Sequence, residues 1–172
     1  MAEKILVTYA SKSGSTAEIA VAISEALRES GYETDIIHVS KVTDVSSYRG
    51  VIIGSGIYMG RWLRSAMKFI RKNKTALQSI PVAFFSVCLL MKEDTEENRK
   101  TAEAYFDGPK SIVSPFETAT FAGALEIERL PILYKIIVKS QKEKSADYRN
   151  YDNVKKWAKS VGEKIARSVG RR

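Results

Sequence analysis

The feature that most constrains the fold lies near the start of the chain, where an apolar run leads through a short hydroxyl-rich loop into a helical pattern. Ile5–Ala10 has the composition of a buried β-strand. Ala17–Ser30 carries apolar side chains at helical spacing, and Gly31 ends that pattern. A buried strand followed at once by an amphipathic helix is typical of a parallel sheet covered by crossover helices.

The loop between strand and helix predicts a cradle for a phosphate group. The helix start offers unpaired backbone N–H groups and the positive end of the helix dipole. Gly14 permits a tight turn and close approach of a ligand. An alternative is that Ser13 or Ser15 simply caps the helix, with Glu18 and Ser15 forming a capping box, and both interpretations can hold together. The hydroxyl side chains of the loop are Ser11, Ser13, Ser15 and Thr16.

Two better-known phosphate motifs do not fit the sequence. No run matches G-x-x-x-x-G-K followed by Ser or Thr, so a P-loop is excluded. Gly54, Gly56 and Gly60 approach the dinucleotide fingerprint, but the last spacing is one residue too long and they follow a later strand. These differences favour a mononucleotide over a nicotinamide dinucleotide.

Size and composition limit the chemistry. A chain of 172 residues with 44% hydrophobic and 28% charged residues is predicted to form a single soluble domain, residues 1–172. The single cysteine, Cys88, and the single histidine, His38, argue against a disulfide framework, a metal site and a Ser-His-Asp triad. We expect a buried strand thiol for Cys88 and a structural role for His38.

The net charge of +8 indicates an anionic partner, such as a membrane surface, nucleic acid or an acidic substrate. Nucleic acid is the least favoured of these, because the sequence carries no recognised binding motif. No apolar run reaches the roughly 20 residues that span a bilayer, and no signal peptide precedes the first strand. We therefore expect a cytoplasmic protein with peripheral contact at the inner face of the cell membrane.

The rest of the chain alternates between strand and helix patterns, which predicts the α/β class. The predicted strands are Ile5–Ala10, Thr34–Val39, Val51–Ile57, Val82–Leu90 and Ile112–Ala122, the last with a break near Pro115. The later helices are predicted over Arg61–Lys74, Thr95–Phe106 and Tyr151–Val169. Leu125–Asn150 is too long for a normal connection and is predicted to be an insertion that carries function or is loosely ordered.

Ligands of open α/β sheets bind at the carboxyl ends of the strands. Here the first strand ends in the phosphate cradle, and the next two central strands end in Ser55–Gly60 and Ser86–Met91. Tyr58 and Trp62 offer flat faces for a ring, although core packing is an equal alternative for Trp62. A phosphate cradle beside two loops that could flank a ring is typical of a mononucleotide site. FMN is favoured over ATP, because the sequence shows no evident magnesium ligands and no catalytic lysine.

At this point the sequence resembles the flavodoxin-like superfamily, and within it the menaquinone-dependent, oxygen-independent protoporphyrinogen oxidases. The phosphate loop resembles that of the whole superfamily. The segments Ile-Gly-Ser-Gly-Ile, Phe-Ser-Val and Phe-Ala-Gly-Ala-Leu resemble the protoporphyrinogen oxidases in particular. The resemblance extends to the late insertion and to the closing helix with Trp157. It rests on residues 8–16, 51–60, 81–89 and 121–125.

The resemblance implies a three-layer flavodoxin-like sandwich with a five-stranded parallel sheet of order 2-1-3-4-5 and tightly bound FMN. It implies an oxidoreductase that passes electrons from a substrate, such as a porphyrinogen, through the flavin to a quinone or redox partner. Two alternatives remain open: a flavodoxin-type electron carrier without a substrate of its own, and a basic binding module that has lost the cofactor.

The resemblance also transfers site residues, while no side chain stands out as a general acid or base. The flavin carries the chemistry in such a protein. The phosphate would be held by Ser11, Lys12, Ser13, Gly14, Ser15 and Thr16. The isoalloxazine would be flanked by Ser55, Gly56, Ile57, Tyr58, Met59, Gly60, Ser86, Val87, Cys88, Leu89, Leu90 and Met91, with Gly123 and Ala124 near the same rim.

Overall fold

The computed structural model of the chain describes residues 4–125, 127–129, 132–140 and 146–169. The strands are β1 Ile5–Ala10, β2 Thr34–His38, β3 Gly50–Tyr58, β4 Arg61–Trp62, β5 Val82–Cys88, β6 Glu117–Ala122, β7 Ala124–Leu125 and β8 Ala146–Asp147. The α-helices are α1 Ser15–Glu29, α2 Arg64–Lys72, α3 Lys74–Gln78, α4 Glu96–Ala104, α5 Asp107–Lys110, α6 Ile132–Ser140 and α7 Tyr151–Val169.

The main sheet has the order β2-β1-β3-β5-β6, and these five strands are parallel. Counted over the long strands alone, the order is 2-1-3-4-5, so the prediction is confirmed. The carboxyl ends of β1, β3 and β5 share one edge, where Ala10 pairs with Ser55 and Ser55 with Ser86. Parallel register therefore brings the three loops of interest to one edge of the sheet.

Apolar side chains on both faces of the sheet form the predicted three layers. On one face, α1 and α7 pack on the sheet through fully buried residues such as Ile23 and Val161. On the other face, α2 packs through residues such as Ile70 against Phe84. Burying each large aliphatic or aromatic side chain stabilises the fold by about 1.5–3 kcal/mol.

The short strand β4 corrects one predicted boundary. The helix predicted to begin at Arg61 begins at Arg64, because β4 first pairs antiparallel with the end of β3. The Leu63 N–H donates to the Ser55 hydroxyl at 2.9 Å, which ties the helix start to β3. Trp62 is thus a core residue, with ring centroids 5.4 Å from Phe84 and 5.8 Å from Phe106.

Other predicted elements are shorter than their patterns suggested. The predicted helix 61–74 ends at Lys72 and a separate short helix follows, and the predicted helix 95–106 ends at Ala104. The predicted strand 82–90 ends at Cys88, where the chain turns into a 3₁₀ helix over Leu89–Lys92. β6 starts only at Glu117, since Pro115 cannot donate to a strand ladder.

The insertion predicted over 125–150 contains several short elements among its described residues. A 3₁₀ turn spans Ile127–Arg129, α6 follows, and β8 pairs antiparallel with β7. Residues 126, 130, 131 and 141–145 of this prediction lie outside the described residues. Within the described part of the chain, no helix is both long and apolar enough to cross a membrane.

Candidate functional site

The hydroxyl-rich loop forms a fixed turn at the start of α1. Gly14 has a φ of 95°, in the left-handed region that favours glycine. Its N–H donates to the Ser11 hydroxyl at 3.0 Å, which closes the turn. Ser11 and Ser13 are partly exposed, whereas Ser15 and Thr16 are buried. The segment between β1 and α1 therefore folds into a tight, preformed turn.

The alternative of a capping box at the start of α1 does not hold. The residue preceding α1 is Gly14, and among the described residues no side chain caps this helix. The Ser15 hydroxyl instead accepts a hydrogen bond from the Ala124 N–H at 3.0 Å, and the Glu18 carboxylate pairs with Arg149 and Arg129. No described side chain thus caps the N–H groups at the start of α1, and this is the arrangement that favours a bound anion.

The second predicted loop lies directly beside this turn. β3 and β4 form a hairpin whose two connecting residues, Met59 and Gly60, have φ values of 48° and 72°. Such a tight connection projects Met59 into solvent, with 85% of it exposed. The Lys12 ammonium lies 3.9 Å from the centroid of the Tyr58 ring, a cation–π contact that joins the two loops.

Glycines allow the site elements to approach one another closely. A Cβ placed on Gly56 would lie 3.1 Å from the Thr16 hydroxyl oxygen. A Cβ on Gly123 would lie 3.2 Å from the Ser15 hydroxyl oxygen and 3.1 Å from Val87. The cradle, the second loop and the Gly123–Ala124 segment therefore meet at one rim.

The third predicted loop joins that rim through its first residues. The Gly123 N–H donates to the Cys88 carbonyl at 3.2 Å. The Asn98 side-chain amide donates to the Leu90 carbonyl at 3.1 Å, so the turn after β5 is held in place. Val87 is buried, and Leu89 and Leu90 are partly exposed.

Three predicted site residues have other surroundings. Ser55 and Ser86 are fully buried, and their hydroxyls bond to Gly56 and Leu63 and to Thr120, respectively. Met91 lines a cavity of about 590 Å³ at the β6 edge of the sheet, together with Tyr148. The two serines support the loops from beneath, and Met91 lines this edge cavity.

Cys88 is buried at the end of β5, as expected from its strand position. Burial raises the pKa of its thiol, while backbone N–H groups of Met91 and Leu90 act in the opposite direction. A protonated thiol is a weak nucleophile. The geometry assigns Cys88 a packing role.

Two arginines at this site carry no signal in the sequence pattern, because both come from the insertion. The Arg129 guanidinium would lie 3.3 Å from a Cβ on Gly14, and it is 3.3 Å from the Glu18 carboxylate. Only 10% of the Arg149 side chain is exposed, and it pairs with Glu18 and Asp147. The insertion is thereby fastened to the first turn of α1, with Arg129 beside the cradle.

Tyr105, at the end of α4, is a further residue that the sequence did not indicate. Its ring would lie 3.8 Å from a Cβ on Gly60, which places it behind the second loop. Burial, followed by the charge of the nearby Cys88 thiolate form, raises the pKa of its phenol. Tyr105 thus remains a neutral aromatic side chain behind the second loop.

Comparison with known proteins identifies relatives over almost the whole chain. A family model described as Flavodoxin domain matches residues 6–152. Protoporphyrinogen IX dehydrogenase (quinone) of Escherichia coli (strain K12) is 26% identical over 173 residues, covering 92% of this chain and 94% of that protein. The protein of the same name from Leishmania major is 25% identical, covering 78% of this chain and 60% of that protein.

Solved structures share the fold at low identity. A flavodoxin from the domain Archaea aligns with a TM-score of 0.57 and 17% identity, covering 95% of this chain and 99% of its own. Oxidised flavodoxin 1 from Bacillus cereus aligns with a TM-score of 0.56 and 17% identity, covering 94% and 97%. At such identities these neighbours establish the fold alone.

Proposed function

We propose, from the premise that the chain belongs to the flavodoxin domain family, that it is an FMN-dependent oxidoreductase of the protoporphyrinogen oxidase type. One observation carries the proposal: the start of α1, which no described side chain caps, lies beside the loops that follow β3 and β5. The 26% identity to the dehydrogenase of Escherichia coli supports the reaction class. In this proposal the residues 1–172 act as a single domain.

The phosphate of FMN would lie in the turn before α1. The first backbone N–H groups of α1 would donate to its oxygens, together with the partly exposed hydroxyls of Ser11 and Ser13. Thr16 is buried against Gly56 and would fix the base of the cradle. Arg129 would add one positive charge at the rim, which strengthens the binding of a dianion.

The flavin ring would lie between the loop Ser55–Gly60 and the loop Ser86–Met91, with Gly123–Ala124 at the rim. When bound, the flavin supplies the redox chemistry. The chain would hold the ring between Tyr58 and the turn after β5, and Tyr105 would keep water from the inner side. The buried Ser55 and Ser86 would stabilise both loops from beneath.

The substrate would be a porphyrinogen, and a quinone or redox partner would accept the electrons. Peripheral contact with the inner face of the membrane is part of the proposal, and α6 is the element that suits it. Ile132, Leu133 and Ile136 are 75%, 71% and 63% exposed on this helix, which also carries Lys135 and Lys139. Apolar residues flanked by lysines favour an anionic lipid surface.

The second candidate is a flavodoxin-type electron carrier without a substrate of its own, which the fold of the solved neighbours supports. The net charge of +8 and the insertion favour the enzyme, because both provide surfaces for an anionic substrate or membrane.

Reconstitution followed by turnover tests the proposal. The purified chain, incubated with FMN and desalted, is expected to retain visible flavin absorption and to oxidise protoporphyrinogen IX anaerobically with a soluble quinone. Retained flavin without porphyrinogen turnover would favour the carrier. A colourless protein after reconstitution would contradict both candidates.

A further inference from the structure

A basic groove lies on the α2 face of the molecule, outside the proposed flavin cradle. Its volume is about 710 Å³, within the range of small-molecule sites. Its walls come from the β3–β4 hairpin, from α2 and from the segment that joins α4 to α5. Its cationic lining consists of Arg61, Arg64, Lys68 and Arg71.

These four cations are exposed, and within the described part of the chain none forms an ion pair. Lys110, next to the groove residue Pro109 in the chain, differs from these four cations because it pairs with Glu103. Arg64 and Lys68 stand four residues apart on α2, and Lys68 and Arg71 three apart, so like charges face each other along one stripe.

The arrangement is unfavourable for the free helix. The first turn of α2 contains no acidic residue, while Arg64 stands at its start, where the helix dipole disfavours a cation. Each like-charge contact and each misplaced cation slightly lowers the stability of the helix. A stripe that lowers helix stability without an internal partner indicates an external anion.

The remaining walls of the groove are apolar. Trp62, Met67, Tyr105 and Pro109 line it beside the cations. Trp62 is a core residue that is only 5% exposed, so it forms the floor of the groove. The groove thus combines cations with an apolar wall.

The groove also touches the proposed flavin site. Gly60, the last residue of the second ring-flanking loop, lines it, and Tyr105 contacts both regions. A ligand whose acidic groups lie on α2 could therefore extend its apolar body toward the hairpin at Tyr58–Gly60. Guanidinium groups bind carboxylates in a bidentate manner, which fixes both orientation and distance.

We propose that this groove binds the carboxylate edge of a planar, amphipathic polycarboxylic substrate and orients it toward the hairpin. The choice of a planar carboxylate rather than another anion rests on the proposed function, whereas the groove itself rests on its exposed cations and apolar lining. Arg64 and Lys68 are assigned as its central binding residues, and Arg61 and Arg71 as its ends.

The test compares a diacid with its neutral ester on the FMN-loaded full chain. Protoporphyrin IX, the redox-inert diacid, and protoporphyrin IX dimethyl ester are titrated by fluorescence anisotropy. We expect the wild type to bind the diacid about tenfold more tightly than the ester, as one strong ionic contact provides. In the Arg64→Gln/Lys68→Gln variant this preference is expected to fall to about twofold or less.

The Lys72→Gln/Lys74→Gln variant is the matched control, because it removes the same charge from positions that do not line the groove. It should keep the diacid preference. The proposal would be overturned if both variants lost the diacid preference equally, or if the wild type bound the diacid and the ester equally well. Loss of binding to anionic vesicles in the groove variant with an unchanged diacid preference would also overturn it, and would assign these cations to a lipid surface.

The failure of this inference is separable from failure of the proposed function. Groove-dependent binding of the diacid without oxidation of protoporphyrinogen would support the groove and contradict the enzyme. Oxidation of protoporphyrinogen with unchanged turnover and unchanged diacid preference in the groove variant would support the enzyme and contradict the groove.

Discussion

The two faces of the sheet use their charges in different ways. On the α1 and α7 face, acidic side chains have basic partners: Glu18 pairs with Arg149 and Arg129, Glu29 with Lys155 and Lys159, and Glu117 with Lys164. On the α2 face, four cations line a groove without a described partner. The first set fastens elements together, and the second is available to a ligand.

This contrast separates stability from binding. A paired, partly buried charge contributes to the fold, because its removal leaves the partner without compensation. An exposed, unpaired charge contributes little to the fold, so its substitution changes binding alone. Substitutions on the two faces should therefore have opposite profiles, and the following experiments test that difference from the largest effect to the smallest.

Removing Arg149 should have the largest effect on stability. Arg149→Met keeps the aliphatic volume but leaves Glu18 and Asp147 without their cation, and Arg149 is 10% exposed in its side chain. We expect a loss of about 2 kcal/mol, below the range for fully buried pairs because Glu18 is partly exposed. Urea denaturation measures it, with Lys156→Met as a control on α7. A loss no larger than that of the control would contradict the structural role of the pair.

Gly14→Ala should weaken both the fold and flavin binding. The φ of 95° costs an alanine about 1–2 kcal/mol, and its Cβ would lie 3.3 Å from the Arg129 guanidinium. FMN affinity should fall about tenfold, because the backbone strain at residue 14 also distorts the phosphate cradle. Fluorescence quenching of FMN measures this affinity. Gly31→Ala, at a φ of 88° with no atom near its Cβ, provides a strained control that should leave FMN affinity unchanged.

Arg129→Gln should affect flavin binding more than the fold. Its side chain is 51% exposed, so the free energy of unfolding should change by less than about 1 kcal/mol. FMN affinity should fall about fivefold at low salt, and less at high salt, since screening weakens an exposed charge. Riboflavin, which has no phosphate, provides the control ligand. An equal loss for riboflavin would place Arg129 elsewhere than at the phosphate.

The groove variant Arg64→Gln/Lys68→Gln should leave stability unchanged or raise it by a few tenths of a kcal/mol, because it removes a like-charge pair on α2. Thermal unfolding of this variant beside Arg149→Met is the direct comparison of the two faces. A destabilisation as large as that of Arg149→Met would abolish the contrast.

The titration of Cys88 should have the smallest effect on stability. Burial raises the pKa of its thiol above the ordinary value of 9.0, so the folded thiol stays protonated to a higher pH than the unfolded one. The contribution to stability is therefore present below pH 9 and is lost as the pH rises through the folded pKa. Alkylation by iodoacetamide between pH 8 and 10 should be slow in the native protein and fast in urea. Equal rates would contradict its burial.

The sequence predicted the architecture well because strand and helix patterns are local. Ile5–Ala10 and Tyr151–Val169 have the predicted bounds, and the sheet order is as expected. Predicted boundaries are wrong where a tertiary contact decides them. The Ser55–Leu63 hydrogen bond accompanies β4 where a helix was predicted, and the Ala124 N–H occupies the Ser15 hydroxyl that the alternative interpretation assigned to a helix cap.

The candidate site was predictable only in part for the same reason. The cradle and the loop ends follow from strand ends and glycines along the chain. Arg129 and Arg149 lie more than 100 residues from Glu18, and contacts of such separation leave no periodic pattern in a single sequence. The groove was not predicted, because its cations lie on elements whose relative packing the pattern does not specify.

In the proposed flavoprotein, the turn before α1 would hold the phosphate of FMN. The most direct measurement compares the affinities of FMN and riboflavin for the wild-type chain by quenching of flavin fluorescence. We expect FMN to bind at least about tenfold more tightly, because only FMN carries the phosphate. Equal affinities for the two flavins, or no binding of either, would contradict the account.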